Sequence, residues 1–313
     1  MARSKSSSIE SVSNPQDWCG SKAGDAAPLV YFSGNTPYNK LTTTLIKHGM
    51  RHYCFSFAYA DPQSPDAHRV VIENFRMCRE AGVRIFMDSG AFTFQVKPWR
   101  ATPEALVSFR DAFIANVKQY RSHYDFYATF DYAQHGPTVW EQTKTLVEAG
   151  LGPTPAFHIT TSLDWLKRYA DAGYKLIGLG SAMKSSSREQ ARFYTQAFNL
   201  GDKLGLRFHG FAVTGKFMFD YPWHSVDSAT WLKVAINGGI LFVDPARKKV
   251  QVAHTTKGRM SPGMDARIKA LGFKPRQLET DFQYRALFNM KQFLLAEVRP
   301  ELRRDNHKWQ SII

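Results

Sequence analysis

Cysteine is scarce in this chain: Cys19, Cys54 and Cys78 are the whole complement among 313 residues. Their odd number, wide spacing and lack of any Cys-x-x-Cys pair argue against a disulfide framework and against a structural zinc site, and predict reduced, mostly buried thiols. Long apolar runs are missing as well. Nothing approaches the roughly 18 apolar residues of a membrane span. The amino terminus, Met1-Ala2-Arg3-Ser4-Lys5, is followed by serine and charge instead of the apolar segment of a secretory signal. A soluble, cytoplasmic protein with no membrane contact is expected. A Gly-x-Gly-x-x-Gly turn is absent too, since Ser33-Gly34-Asn35-Thr36-Pro37 follows the first apolar run, so no dinucleotide site is marked.

Acidic residues are the minority: 41 Lys+Arg stand against 27 Asp+Glu, a formal charge of +14. That excess favours a polyanionic partner over an acidic small-molecule pocket alone. It is also local. Between Arg247 and Lys308 there are 15 Lys+Arg and 6 Asp+Glu, so +9 of the +14 lies near the carboxyl end. Such a concentration suits a phosphate-binding surface, with Arg247, Lys248, Lys249, Lys257 and Arg259 as candidate contacts to a nucleic-acid backbone. It equally suits solvated lysine stems laid over apolar area.

Residues 1–27 are rich in Ser, Ala, Gly and Asp without periodicity and read as a flexible arm. From Leu29 a rhythm sets in of apolar run, turn, amphipathic segment and next apolar run. Strands are predicted at 29–33, 53–57, 84–88, 126–131, 154–158, 175–179, 207–213 and 225–227. Helices are predicted at 39–49, 67–81, 103–123, 138–149, 162–172, 187–204, 215–220 and 229–236. Ala81-Gly82, Ala149-Gly150, Ala172-Gly173 and Leu204-Gly205 repeat the glycine signal of a helix C-cap. Eight strand–helix units point to a (β/α)₈ TIM barrel over 28–240, with an open doubly wound sheet as the alternative. Residues 241–313 then form a basic C-terminal extension packed on the barrel, with a hairpin over 240–253 turning at Asp244-Pro245, and helices at 264–271 and 281–297.

In a barrel of this kind reactive groups come from the C-terminal ends of the strands. Those positions hold Asp88, followed by Ser89 and Gly90; Asp131; His158; Gly178-Leu179-Gly180-Ser181; Val213-Thr214; and Asp227. Each aspartate also suits a bland role, as a turn former or the N-cap of the next helix. Three carboxylates on one rim imply that one pKa is raised or that a basic group compensates. A nucleophile, a proton shuttle and a ligand reader together suit chemistry at an anomeric carbon. His158 reads as pocket lining. Trp99, Tyr132 and Trp223 lie near the predicted rim, where they either stack on bases or belong to the core. No lysine stands in the apolar part of a strand end, since Lys175 opens its run and Lys184 falls in a loop. The signal of a Schiff-base aldolase is therefore missing.

Four motifs in order, Asp88-Ser89-Gly90-Ala91-Phe92, the Asp131 strand end, Ile177-Gly178-Leu179-Gly180, and His209 to Thr214 followed by Tyr221 to Ser228, resemble the tRNA-guanine transglycosylase superfamily. The likeness covers roughly 29–240 and is strongest to the phage and bacterial DpdA-type branch, which places 7-deazaguanine bases into DNA. The resemblance implies that Asp227 is the nucleophile that attacks C1′ and expels guanine. It implies that Asp88 transfers the proton and that Asp131 accepts hydrogen bonds from the base edge. Phe92 is then placed to stack on the base, while Ser89, Gly90, His158, Gly178, Gly180 and Ser181 border its pocket. The tRNA enzymes carry a zinc site of cysteines and a histidine after the last strands, whereas no cysteine follows Cys78. The family's Gln-Gly-Gly stretch is replaced by Ala156-Phe157-His158-Ile159. Both departures point to the DNA branch, with no metal or cofactor, a free 7-deazaguanine base as co-substrate, and single-stranded or flipped-out guanine in DNA as the reacting form. Two displacements at C1′ imply retained configuration. A tRNA-modifying enzyme and a catalytically silent DNA-binding barrel are the alternatives.

Overall fold

A computed structural model describes residues 28–34, 38–59, 65–133, 135–180, 185–244, 249–255 and 261–297. The expected arm, 1–27, lies outside the described residues. Strands and helices alternate as β1 (Leu29–Ser33), α1 (Asn39–Lys47), β2 (His52–Ser56), α2 (Pro65–Glu80), β3 (Arg84–Asp88), α3 (Phe92–Val96), α4 (Pro103–Tyr120), β4 (Phe126–Tyr127) and α5 (Gly136–Glu148). The second half continues with β5 (Ala156–His158), α6 (Asp164–Asp171), β6 (Leu176–Gly180), α7 (Ser187–Leu204), β7 (Arg207–Gly210), α8 (Lys216–Asp220), β8 (Ser225–Ser228) and α9 (Thr230–Ile236).

The eight strands form one curled sheet in the order β4-β3-β2-β1-β8-β7-β6-β5. Every pairing in it is parallel. The two edge strands are consecutive in the chain and meet only at an isolated bridge, Ala128 to Thr154. There Thr154 N–H donates to Tyr127 O at 2.8 Å and Thr129 N–H to Thr154 O at 2.9 Å. No ladder closes that seam.

Alternation of side chains decides what faces the hollow of the sheet. Tyr31, Cys54, Phe86, Phe126, Ala128 and Leu176 pack together inside it. The intervening residues, among them Phe32, Tyr53, Phe55, Ile85 and Met87, join the larger core beneath the helices. At ~25 cal/mol per Å² of buried apolar surface, each such aromatic side chain contributes about 2–3 kcal/mol of transfer free energy. Helix ends follow the glycine signal: Gly82, Gly150, Gly173 and Gly205 take φ of 69°, 81°, 88° and 65°, which residues with a Cβ resist.

Several strands are shorter than their apolar runs. β5 pairs with β6 only from Ala156 onward, because Pro155 has no N–H to give the ladder. β4 ends at Tyr127 and β7 at Gly210. Beyond Gly210, Ala212 takes φ 56° and breaks the extended backbone. Helices α3 and α11 (below) have no counterpart among the sequence-based expectations, since each is a single short turn without a legible period. Trp223 is core: it is 2% exposed, donates Nε1–H to Phe217 O at 2.8 Å, and packs edge-on against Tyr194 and Phe198. It is therefore not a stacking platform on the rim. Cys54 and Cys78 are free, buried thiols, and Cys19 lies outside the described residues.

After α9 come the antiparallel strands β9 (Gly239–Asp244) and β10 (Lys249–His254), then α10 (Pro262–Ala270), α11 (Pro275–Thr280) and α12 (Phe282–Glu297). The expected hairpin turn at Pro245 lies outside the described residues. Two buried polar side chains tie this region to α9. Asn289 accepts Leu241 N–H at 2.7 Å and donates to Trp231 O at 2.8 Å. Arg285 donates to Ala235 O at 2.7 Å and Leu278 O at 2.8 Å. One of the basic residues of this segment thus serves the interior, closing the carboxyl ends of α9 and α11. No helix among the described residues is long and apolar enough to cross a membrane.

Candidate active site

Asp88 is the last residue of β3, beside Ser56 at the end of β2. The Ser56 hydroxyl bonds to its carboxylate, and Gly90 N–H donates to Oδ2 at 3.1 Å. This tight turn needs glycine: Gly90 has φ +75°, and a Cβ there would stand 2.5 Å from Ala58 N. Ser89, fully buried, accepts Ala91 N–H at 3.3 Å and donates its hydroxyl to Asp131 Oδ1 at 3.2 Å. The Asp-Ser-Gly turn is therefore a structural turn and also a link between two strand ends.

Asp131 follows the end of β4 by four residues, is held by two hydrogen bonds and has an imidazole beside it. Ser89 reaches Oδ1, His158 Nε2 lies 3.2 Å from Oδ2, and Gln95 Nε2–H donates to its backbone carbonyl at 2.9 Å. Each carboxylate oxygen offers two acceptor sites, so one on each remains for a ligand edge. With 16% of its side chain exposed, Asp131 is accessible from the mouth.

Asp227 on β8 is the third. Ala212 N–H donates to Oδ1 at 3.2 Å, His209 Nε2 lies 3.3 Å from the same oxygen, and Ser33 Oγ is 3.5 Å from Oδ2. Ala212 is the sole described non-glycine residue with positive φ, a conformation that costs about 1–2 kcal/mol. The strained residue is the one that turns its N–H toward this carboxylate.

The three carboxylates act on one another. Burial, then the charges of Asp131 and Asp227, push Asp88 up to about 7 despite its bonds to Ser56 and Gly90. The partners of the three also differ. Asp131 and Asp227 each face a histidine, whereas Asp88 has only a hydroxyl and a backbone N–H among its described partners. Burial beside two further carboxylates favours the protonated form of Asp88. Below them, burial and the charges of Asp227 and Asp88 raise the Cys54 thiol well above its ordinary value. It stands neutral, as a core residue.

Phe92, at the start of α3, is 51% exposed on the same rim, as a stacking surface must be. Trp99 is 74% exposed, and Tyr132 is half-buried against Phe130. Gly178 and Gly180 face the hollow of the sheet. A Cβ on Gly178 would run into the Phe211 ring, and one on Gly180 would stand 3.2 Å from both His158 Nδ1 and Phe211. The two glycines thus make room for the aromatic and imidazole rings that floor the mouth. Ser181, Arg247, Lys248, Lys257 and Arg259 lie outside the described residues, and so does the side chain of Lys249, whose backbone opens β10. No group of three His, Cys, Asp or Glu among the described residues could hold a metal ion.

Sequence reasoning gave no role to His209, Ser225, Ala212, Ser33 or Ser56. A signal for two of them was present. Counting back two residues from Asp227 along a strand lands on Ser225 on the same face, and Ser225 pairs in register with His209. The positive φ of Ala212 leaves no such trace in the sequence. The chain matches no family model and no curated protein.

Proposed function

We propose that this chain is a base-exchange transglycosylase that replaces guanine in DNA with a 7-deazaguanine derivative through a covalent glycosyl–aspartate intermediate. In this reading the curled sheet works as a (β/α)₈ barrel with its seam between β4 and β5, and the strand ends form the mouth. The observation that carries it is the gathering of three carboxylates on one rim with unequal partners, where burial and its two neighbours push Asp88 up to about 7. A proton donor and an ionised carboxylate on one rim are what displacement at C1′ requires.

Asp227 attacks C1′ of the target nucleoside, and the bond from C1′ to guanine breaks. Its electron pair goes to the base nitrogen, which takes the proton of Asp88. The incoming 7-deazaguanine then gives its ring N–H proton to the Asp88 carboxylate and attacks C1′, which releases Asp227. Two inversions leave the configuration at C1′ as it began. Asp131 accepts hydrogen bonds from the donor edge of either base through its remaining acceptor sites. Phe92 stacks on the base; Ser89, Gly90, His158, Gly178 and Gly180 shape the pocket. The target must leave its stack to expose C1′ to a recessed rim, which favours single-stranded or flipped-out guanine. The positive charge toward the carboxyl end supports a polyanionic substrate.

The test is uptake of labelled 7-cyano-7-deazaguanine into guanine-containing single-stranded DNA and, in parallel, into a tRNA transcript. Incorporation into DNA that Asp227→Ala abolishes is the expected result. Incorporation into tRNA alone makes the chain an RNA-modifying enzyme. Binding to DNA that is unchanged by Asp227→Ala, without incorporation into either polymer, makes it a silent barrel.

A further inference from the structure

The two oxygens of Asp227 are not equivalent. Oδ1 lies within reach of two nitrogen donors, Ala212 N–H at 3.2 Å and His209 Nε2 at 3.3 Å. Oδ2 has one long contact, 3.5 Å to the Ser33 hydroxyl. His209 itself has no exposed surface. The rings of Tyr31, Phe86, Phe126 and Phe211 enclose it at centroid distances of 6.1, 4.7, 5.4 and 5.1 Å. Its polar contacts are Asp227 on one side and, on the other, Ser225 Oγ, 2.8 Å from Nδ1. A carboxylate only accepts, so Nε2 carries the hydrogen, and in the neutral ring the Ser225 hydroxyl donates to Nδ1. One tautomer satisfies both neighbours. Enclosed in aromatic rings, the imidazole reaches no substrate; whatever it does, it does through Asp227.

Resting on the base-exchange reading above, we infer that His209 is a positioning residue which, with the strained Ala212 N–H, anchors Oδ1 of Asp227 and so makes Oδ2 the atom that bonds to C1′. When the Oδ2–C1′ bond forms and the base departs with the C1′–N electron pair and the Asp88 proton, Oδ1 becomes the carbonyl oxygen of the ester. It still accepts both hydrogen bonds. In the second step the incoming base bonds to C1′, its ring proton passes to Asp88, and the C1′–Oδ2 pair returns to Asp227. Negative charge is then regenerated on the carboxylate, where the two donors stabilise it. Hydrogen bonds to a charged group are stronger than those to a neutral ester. The anchor therefore favours release of Asp227 more than its attack.

That asymmetry separates positioning from mere packing. His209→Phe keeps an aromatic ring and removes the donor; His209→Gln restores an N–H near the place of Nε2. Steady-state exchange and the fraction of enzyme covalently bound to a guanine-containing DNA oligonucleotide during turnover are measured for both variants, with folding checked by thermal melting. The expected result is that turnover by His209→Phe falls about 10- to 100-fold, the loss of one charge-assisted donor. The adduct fraction should rise while His209→Gln recovers much of the rate. Should His209→Phe fail to fold, Ser225→Ala is expected to give the same sign at smaller size. Turnover and adduct fraction that stay at native levels, or that fall together, overturn the inference while leaving base exchange intact. No adduct with the native chain on either DNA or RNA overturns both.

Discussion

His158 Nε2 lies 3.2 Å from Asp131 Oδ2, and the pair is repeated on the same rim by His209 and Asp227 at 3.3 Å. Two of the three strand-end carboxylates are thus matched to imidazoles, and the third, Asp88, is left to carry the proton.

Asp88 links stability to pH. Its carboxyl is pushed up from 3.8 to about 7 in the folded chain, so the folded state holds a proton that the unfolded state releases earlier. The contribution is fully present below about pH 4 and is lost as pH rises through 7. At about 1.4 kcal/mol per pKa unit, discounted for partial exposure, the loss is on the order of 3 kcal/mol. Asp88→Asn is expected to melt at a higher temperature than the native chain at pH 8 and to show little gain at pH 4, by thermal melts across that range.

The same proton sets the rate profile. In the proposed mechanism exchange begins with Asp88 protonated, so kcat/KM is expected to fall about tenfold per pH unit above 7. A profile that stays flat to pH 9 would remove Asp88 from the role of acid.

Gly90→Ala places a Cβ at positive φ and 2.5 Å from Ala58 N. The expected cost is about 2 kcal/mol or more in denaturant unfolding. Base exchange should fall further than stability alone explains, because the turn carries Asp88 and Ser89.

Phe92 is half-exposed. Phe92→Ala is expected to leave the melting temperature within about 2 °C and to weaken oligonucleotide or base binding by roughly 1–3 kcal/mol. Titration of the variant with guanine-containing DNA and with free 7-cyano-7-deazaguanine reads both effects.

Asn289→Leu tests the attachment of the C-terminal helices. It leaves Leu241 N–H and Trp231 O without the partners they have at 2.7 and 2.8 Å, at an expected cost of about 2–4 kcal/mol. A variant with native stability would show that the Asn289 hydrogen bonds are not what holds α12.

Much of the fold was legible because apolar runs and helical periods alternate without interruption from Leu29 to Ile236. The order of the sheet follows once parallel strands require crossovers. What stayed hidden is local chemistry. Pro155 shortens β5, Ala212 ends β7, and single-turn helices such as α3 carry too few residues for a period. The carboxylates were legible because strand ends are where such groups gather. His209 and Ser225 were legible only through strand register, since a polar residue inside a strand otherwise reads as core. For Trp223 sequence position left a rim and a core place open, and packing puts it in the core.

The claim at the centre of this account is that Asp227 forms a bond to C1′ of a nucleotide. Incubation of the chain with a guanine-containing single-stranded DNA oligonucleotide and 7-cyano-7-deazaguanine, quenched in denaturant and resolved by intact mass, measures it directly. A protein–oligonucleotide adduct that has lost the mass of guanine, maps to Asp227 and disappears in Asp227→Ala is the expected result. No adduct with the native chain, or an adduct that persists in Asp227→Ala, contradicts the mechanism.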